Sequence, residues 1–207
     1  MSRYPGRKTA IDASLKLASD AAGVAARNVS VVAVDLTAAE AAAADTDGVL
    51  AAVQDDGSQQ VITTGLTNPP YPRNITATAG GTAGDIKAIS VIVEGTNIND
   101  EPITETLPAF TADTTGTVQG SLAFKTVTKV TIPAHDGTGA TTEIGWGDKL
   151  GLPFALQHGN TVLHATLNGV REATAPTVAA DNDEIEKNTV DLNSALNGTP
   201  VSIYVMV

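Results

Sequence analysis

Three histidines, His135, His158 and His164, are the side chains of this 207-residue chain best suited to move a proton near neutral pH. A hydrolase would need one of them beside an activated hydroxyl or a metal-bound water. The sequence contains no G-x-S-x-G, no S-x-x-K and no H-E-x-x-H, so the common local frames for serine or zinc hydrolysis are missing. His164 sits inside an alternating strand pattern and reads as structural. His135 lies in a turn beside Asp136, where turn polarity accounts for it, and His158 precedes Gly159-Asn160 as a loop residue. There is no cysteine, which excludes thiol nucleophiles, zinc-thiolate centres and disulfides.

Acidic runs occur at "DTDG", "DDG" and "DNDEIE". A calcium loop needs alternating oxygen ligands and a glycine at its sixth position. Counting from Asp45 the sixth residue is Leu50, and from Asp181 it is Glu186, so both fail. The runs read as solvated loops, with an irregular cation site at Asp181, Asp183 and Glu186 as the alternative. "GWGDKLG" misses the G-x-G-x-x-G spacing and lacks a K-[ST] pair, so it is expected to be a tight turn that leaves Trp146 to pack or to meet a partner. N-x-[ST] triplets at Asn28, Asn74 and Asn197 carry no meaning without a secretory signal. No cofactor is expected.

The elements that must carry these residues are mostly strands. "VSVVAVDL", "QQVITTGL", "RNITATAG", "KAISVIVEG", "EPITETL", "LAFKTVTKVTIP", "ATTEIGWG", "TVLHATL", "VREATAPTV" and "TPVSIYVMV" are strand candidates divided by glycine, proline, asparagine or aspartate. Asn168-Gly169 is the strongest hairpin signal among the turns. Within "FKTVTKVTIP" strict alternation places Phe124, Thr126, Thr128, Val130 and Ile132 on one face, and Lys125, Val127, Lys129 and Thr131 on the other. Thr37 and Glu40 have the form of a capping box before an alanine run, which predicts a short helix ending near Asp47-Gly48. The expected fold is mainly β: a β-sandwich or jelly-roll-like domain over residues 58–207, a strand plus short Ala-rich helix over 29–57, and an N-terminal arm over 1–28.

Charge divides the chain in the same place. The formal charge is −11, but up to Arg27 five basic residues face two acids, leaving −14 on the remaining 180 residues. So acidic a body repels phosphate backbones and is not expected to grip nucleic acid, whereas the basic leader can meet an acidic partner. The opening residues lack the apolar run of a signal peptide and no stretch has the length of a membrane-spanning helix, which predicts a soluble protein folded where it is made.

The run "ISVIVEGTNINDEPITETLPAF", followed by "GTVQGSLAFKTVTKVTIPAHDGTGATTEIGWGDKLGLP", resembles virion structural proteins of tailed bacteriophages. The likeness spans Ile89 to Pro153 and consists of a strand ending in a G-T/D-N turn, an "ITET" return strand, "F-K-T-V-T" and a "G-x-G-D-K-L-G-L-P" segment. It implies a non-enzymatic capsid decoration, or cement, protein on the outside of a shell, made in the host cytoplasm and located in the virion. The implied partners are the major capsid protein and copies of the chain itself, with a trimer favoured by local symmetry axes, and no direct contact with nucleic acid or membrane. Candidate partner-binding residues are Arg3, Tyr4, Arg7, Lys8 and Arg27 in the basic leader, and Trp146. A tail-tube or head–tail connector component is the alternative within that class. A carbohydrate-binding or adhesive β-domain is the alternative outside it.

Overall fold

Threonine, valine and isoleucine recur at period two through most of the sequence, and the computed structural model is accordingly mainly β, with 49% strand and 5% helix. It describes residues 16–17, 27–28 and 30–206. The expected arm over 1–28 lies outside these, apart from the paired two-residue strands β1 (Lys16–Leu17) and β2 (Arg27–Asn28). Then come β3 (Val31–Leu36), β4 (Asp45–Gln54), β5 (Gln60–Ile62), β6 (Arg73–Gly81), β7 (Ile92–Thr96) and β8 (Pro102–Thr106). The chain continues through β9 (Gly116–Phe124), β10 (Thr126–Ile132), β11 (Ala140–Gly151), β12 (Val162–Leu167), β13 (Val170–Arg171), β14 (Thr177–Ala179), β15 (Thr189–Asp191) and β16 (Val201–Met206).

All strand pairs are antiparallel. One four-stranded sheet has the order β5-β10-β7-β8, and a six-stranded sheet has β14-β15-β11-β6-β9 with β4 also on β11. Another four-stranded sheet has the order β13-β12-β16-β3. The segment 29–57 is therefore woven into the rest: β3 pairs with β16 and β4 with β11. The Asn168-Gly169 hairpin forms as expected, with φ of 51° and 73°, the left-handed pair that a type I′ turn requires.

Two cores result. The first gathers Ile75, Ala77 and Ile144 from the six-stranded sheet against Val93, Val130 and Ile132 from the first four-stranded sheet, with Phe124 fully buried between. The second gathers Val201, Ile203 and Val205 of β16 under a cover of Leu150, Leu152, Leu156, Leu192 and Leu196. Strand β11 serves both. Its first half lies between β6 and β4, its end pairs with β15, and Ile144 and Leu150 point into different cores.

Three expectations need correction. The Ala-rich helix does not form. The capping box is made, with Thr37 N–H donating to Glu40 Oε2 (2.9 Å) and Glu40 N–H to Thr37 Oγ1 (3.3 Å), but a single turn follows it before β4 begins at Asp45. Tertiary contacts take the carbonyls that would propagate a helix. The buried Arg73 guanidinium donates to Glu40 O (3.0 Å) and Ala42 O (2.9 Å), and Trp146 Nε1–H donates to Ala43 O (3.2 Å), which outweighs alanine propensity of a few tenths of a kcal/mol per residue.

Next, "LAFKTVTKVTIP" is two strands. β9 ends at Phe124, β10 starts at Thr126, and a bulge between Val127 and Lys129 opposite β7 shifts the pleat. Val127 is thereby buried together with Val130 and Ile132, while Thr128 is exposed. Last, "GWGDKLG" is no turn but the second half of β11, bulged against β6 between Trp146 and Leu150. Its glycines answer close approach: a Cβ on Gly145 would collide with the Asp45 carbonyl of β4, and one on Gly147 with the Asn74 side chain. Asn74 repairs the bulge, accepting from Lys149 N–H (3.1 Å) and donating to Gly120 O (3.4 Å).

Candidate interaction surface

The histidines, read from the sequence as turn, loop and strand residues, lie apart in the structure. His135 is buried: its Nδ1 accepts from Lys87 N–H (3.2 Å), which leaves the proton on Nε2 to donate to Thr142 Oγ1 (3.0 Å), and its ring stacks on Phe110. Burial pushes its pKa down, so the neutral tautomer that fits these partners is the one present. His164 stacks on Tyr204 with ring centroids 4.4 Å apart. His158 sits before a single helical turn, where its carbonyl accepts from Thr161 Oγ1 (2.8 Å). The His135 and His164 rings thus belong to two separate structural contacts.

The acidic runs are also tied to their own backbone. Asp55 accepts from His135 N–H (3.0 Å) and Gly57 N–H (2.9 Å), and Asp56 from Ser58. In "DNDEIE", Asp181 Oδ1 accepts from the N–H groups of Asp183 and Glu184, both at 2.9 Å, and these bonds hold its pKa low. Lys187 pairs with Glu184 and Asp181, while Glu186 turns away to accept from Asn97 Nδ2 (3.1 Å). Asp181, Asp183 and Glu186 do not converge, and among the described residues no group of three or more His, Asp or Glu could hold a metal ion. A shallow open groove of about 390 Å³ lies between the Asn97–Glu101 turn and residues 183–186.

Trp146, expected on a loop, lies on β11 with its indole over Gly48 of β4 and remains partly exposed. Arg3, Tyr4, Arg7 and Lys8 are outside the described residues, and of Arg27 only its pairing in β2 is described. Buried Arg73, which the sequence reading passed over, faces Asp148 electrostatically. Burial lowers the Arg73 pKa to about 10 and raises that of Asp148, and each charge offsets part of the other's desolvation.

What the fold does present is one face of the sheet β13-β12-β16-β3. Its inner face carries Val201, Ile203, Val205, Ala165 and Leu36, all buried. The register puts the alternate residues on the other face. One row across all four strands reads Asp35, Ser202, Thr166, Arg171, and the next reads Ala33, Tyr204, His164. Val31 opposite Met206 extends this face and is 57% exposed. The remaining side chains on it are partly or fully exposed. Asp35 Oδ1 accepts from Ser202 Oγ–H (2.5 Å), and Arg171 at the far edge has no ion-pair partner among the described residues. Alternation in "VVAVDL", "VLHATL" and "VSIYVM" carried the outward residues in the sequence, but which strands were neighbours was not legible there.

Among the described residues no helix is long and apolar enough to cross a membrane. Neither a family model, nor a curated protein, nor a solved structure matches this chain.

Proposed function

We propose that this chain is a non-enzymatic structural protein of a tailed-phage virion, bound to the outside of the capsid as a decoration protein. The virion assignment rests on the resemblance of Ile89–Pro153. The observation that supports an assembly role is the exposed sheet face of Asp35, Tyr204, His164 and Arg171, with stacked aromatic rings between an acidic and a basic edge, the anatomy of a protein contact. Histidines committed to structural bonds fit the same reading. The two sheets that share the first core form its β-sandwich or jelly-roll-like body.

In this reading the basic leader, with Arg3, Tyr4, Arg7, Lys8 and Arg27, docks on an acidic patch of the major capsid protein. The partly exposed indole of Trp146 adds a secondary contact. The virion is the place of action, and nucleic acid and membrane are not partners. Imaging of native particles tests it: density for the chain belongs on the outer shell, and its presence only in a tail, or on no virion, overturns the assignment. The docking part is tested by adding full-length protein to particles that lack it. The triple variant Arg3→Ala, Arg7→Ala, Lys8→Ala is expected to lower occupancy, and undiminished occupancy removes the leader from the docking surface.

A further inference from the structure

The geometry points to the outer face of the sheet β13-β12-β16-β3 as the surface by which two copies of this chain meet, face to face about a two-fold axis parallel to the strands. The row Asp35, Ser202, Thr166, Arg171 crosses the sheet from an acid on β3 to a base on β13. Rotation by a half-turn about an axis along the strands, midway between β16 and β12, lays β3 of one copy over β13 of the other and keeps every row over itself. Asp35 then faces the second copy's Arg171, and Arg171 faces its Asp35. Ser202 meets Thr166, and in the next row Tyr204 meets His164. One surface patch is self-complementary in charge, as an isologous contact requires.

Other features of the face agree with a second copy as the occupant. Arg171 is exposed and, like Lys149, has no ion-pair partner among the described residues, whereas Lys87, Lys125, Lys129 and Lys187 are paired. On the two central strands the stacked Tyr204 and His164 are aromatic, and Ala33, Val31 and Met206 beyond the Asp35 row add apolar surface with no acid among them. Two twisted sheets stacked at roughly 10 Å and about 30° bring such rows into contact near the axis, and the long arginine side chain spans the wider gap at the edge.

Size sets the strength. Three six-residue strands roughly 4.8 Å apart and about 20 Å long, with two-residue β13 beside them, offer on the order of 300 Å² per copy, well under the roughly 800 Å² of a standard partner surface. The dimer is therefore weak and reversible, populated at high local concentration. Such a dimer is a property of the purified chain and is independent of any virion role.

Sedimentation equilibrium from micromolar to millimolar protein is the test, with circular dichroism to confirm that each variant is folded. The wild type is expected to show a monomer–dimer equilibrium. Arg171→Glu sets two acid–acid contacts and Asp35→Arg two base–base contacts, so each variant alone dimerises at least about tenfold more weakly. Mixed together they restore two opposite-charge pairs, and a heterodimer of at least wild-type strength is expected. A wild type that stays monomeric throughout, dimerisation insensitive to both substitutions, or a mixture no more associated than its components overturns the inference.

Discussion

The two cores are built by different means. In the first, the buried residues are mostly isoleucine, valine, alanine and phenylalanine drawn from strands of two antiparallel sheets. In the second, the sheet face of Val201, Ile203 and Val205 is roofed largely by leucines from irregular segments, Leu152, Leu156, Leu192 and Leu196. Strands satisfy their own backbone through the ladder, but a buried loop cannot, so the second core needs a polar staple. Asn188 provides it. Fully buried, it accepts from Leu156 N–H (2.9 Å) and Asp181 N–H (3.0 Å), and donates to Glu184 O (2.9 Å) and Ile185 O (3.3 Å). Each core joins apolar volume to a buried polar group, the first through the His135 imidazole and the second through the Asn188 amide.

The largest loss is expected from Phe124→Ala in the first core, where removal of a fully buried ring should cost about 3–5 kcal/mol in a urea titration. Because β11 contributes to both cores, Trp146 fluorescence and far-ultraviolet circular dichroism should report a single shifted transition. Two separated transitions would mean that the cores unfold independently. Asn188→Ala in the second core is expected to cost about 2–4 kcal/mol although it removes little apolar surface, since it orphans the N–H groups of Leu156 and Asp181, whereas Glu184 O and Ile185 O keep their bonds from the backbone N–H groups of Lys187 and Asn188. A loss near zero would show that the leucine roof holds without its staple.

A smaller effect follows from His135, the first core's own polar contact. Its pKa is depressed in the folded protein by burial, so the unfolded chain takes up a proton more readily than the folded one as pH falls below about 6.5. Its contribution is complete above the unfolded value and is lost progressively as pH drops toward the folded one. His135→Gln should therefore flatten the decline in stability over that window, and an unchanged pH profile would place the acid sensitivity elsewhere. Least of all, Lys125→Ala should lower stability by about 1 kcal/mol or less, because its ion pair with Asp100 (2.7 Å) is well exposed. A loss comparable to that of Phe124→Ala would mean that the strand faces around residue 125 are assigned the wrong way round.

Local chemistry was legible in the residues themselves. Period-two runs marked the strands, Asn168-Gly169 marked its hairpin, and burial of Phe124, Val130 and Ile132 followed from side-chain type. The Thr37–Glu40 box was also correctly marked, since its bonds span only three residues. What followed it was not: whether Ala41 to Ala44 continues as a helix was decided by Arg73 and Trp146, far along the chain, which claim its carbonyls. The same distinction governs the bulge at Val127 and the fate of "GWGDKLG", where the partner strand sets the register and makes glycine necessary. The interaction face shows it most clearly. Alternation alone determined that Asp35, Tyr204, His164 and Arg171 could point away from a core, but only the pairing of β3 with β16, β16 with β12 and β12 with β13 set an acid and a base at opposite ends of one row. Side-chain direction is a property of adjacent residues, whereas strand neighbourhood depends on contacts between residues as distant as Asp35 and Ser202, which cooperative packing of the whole chain selects.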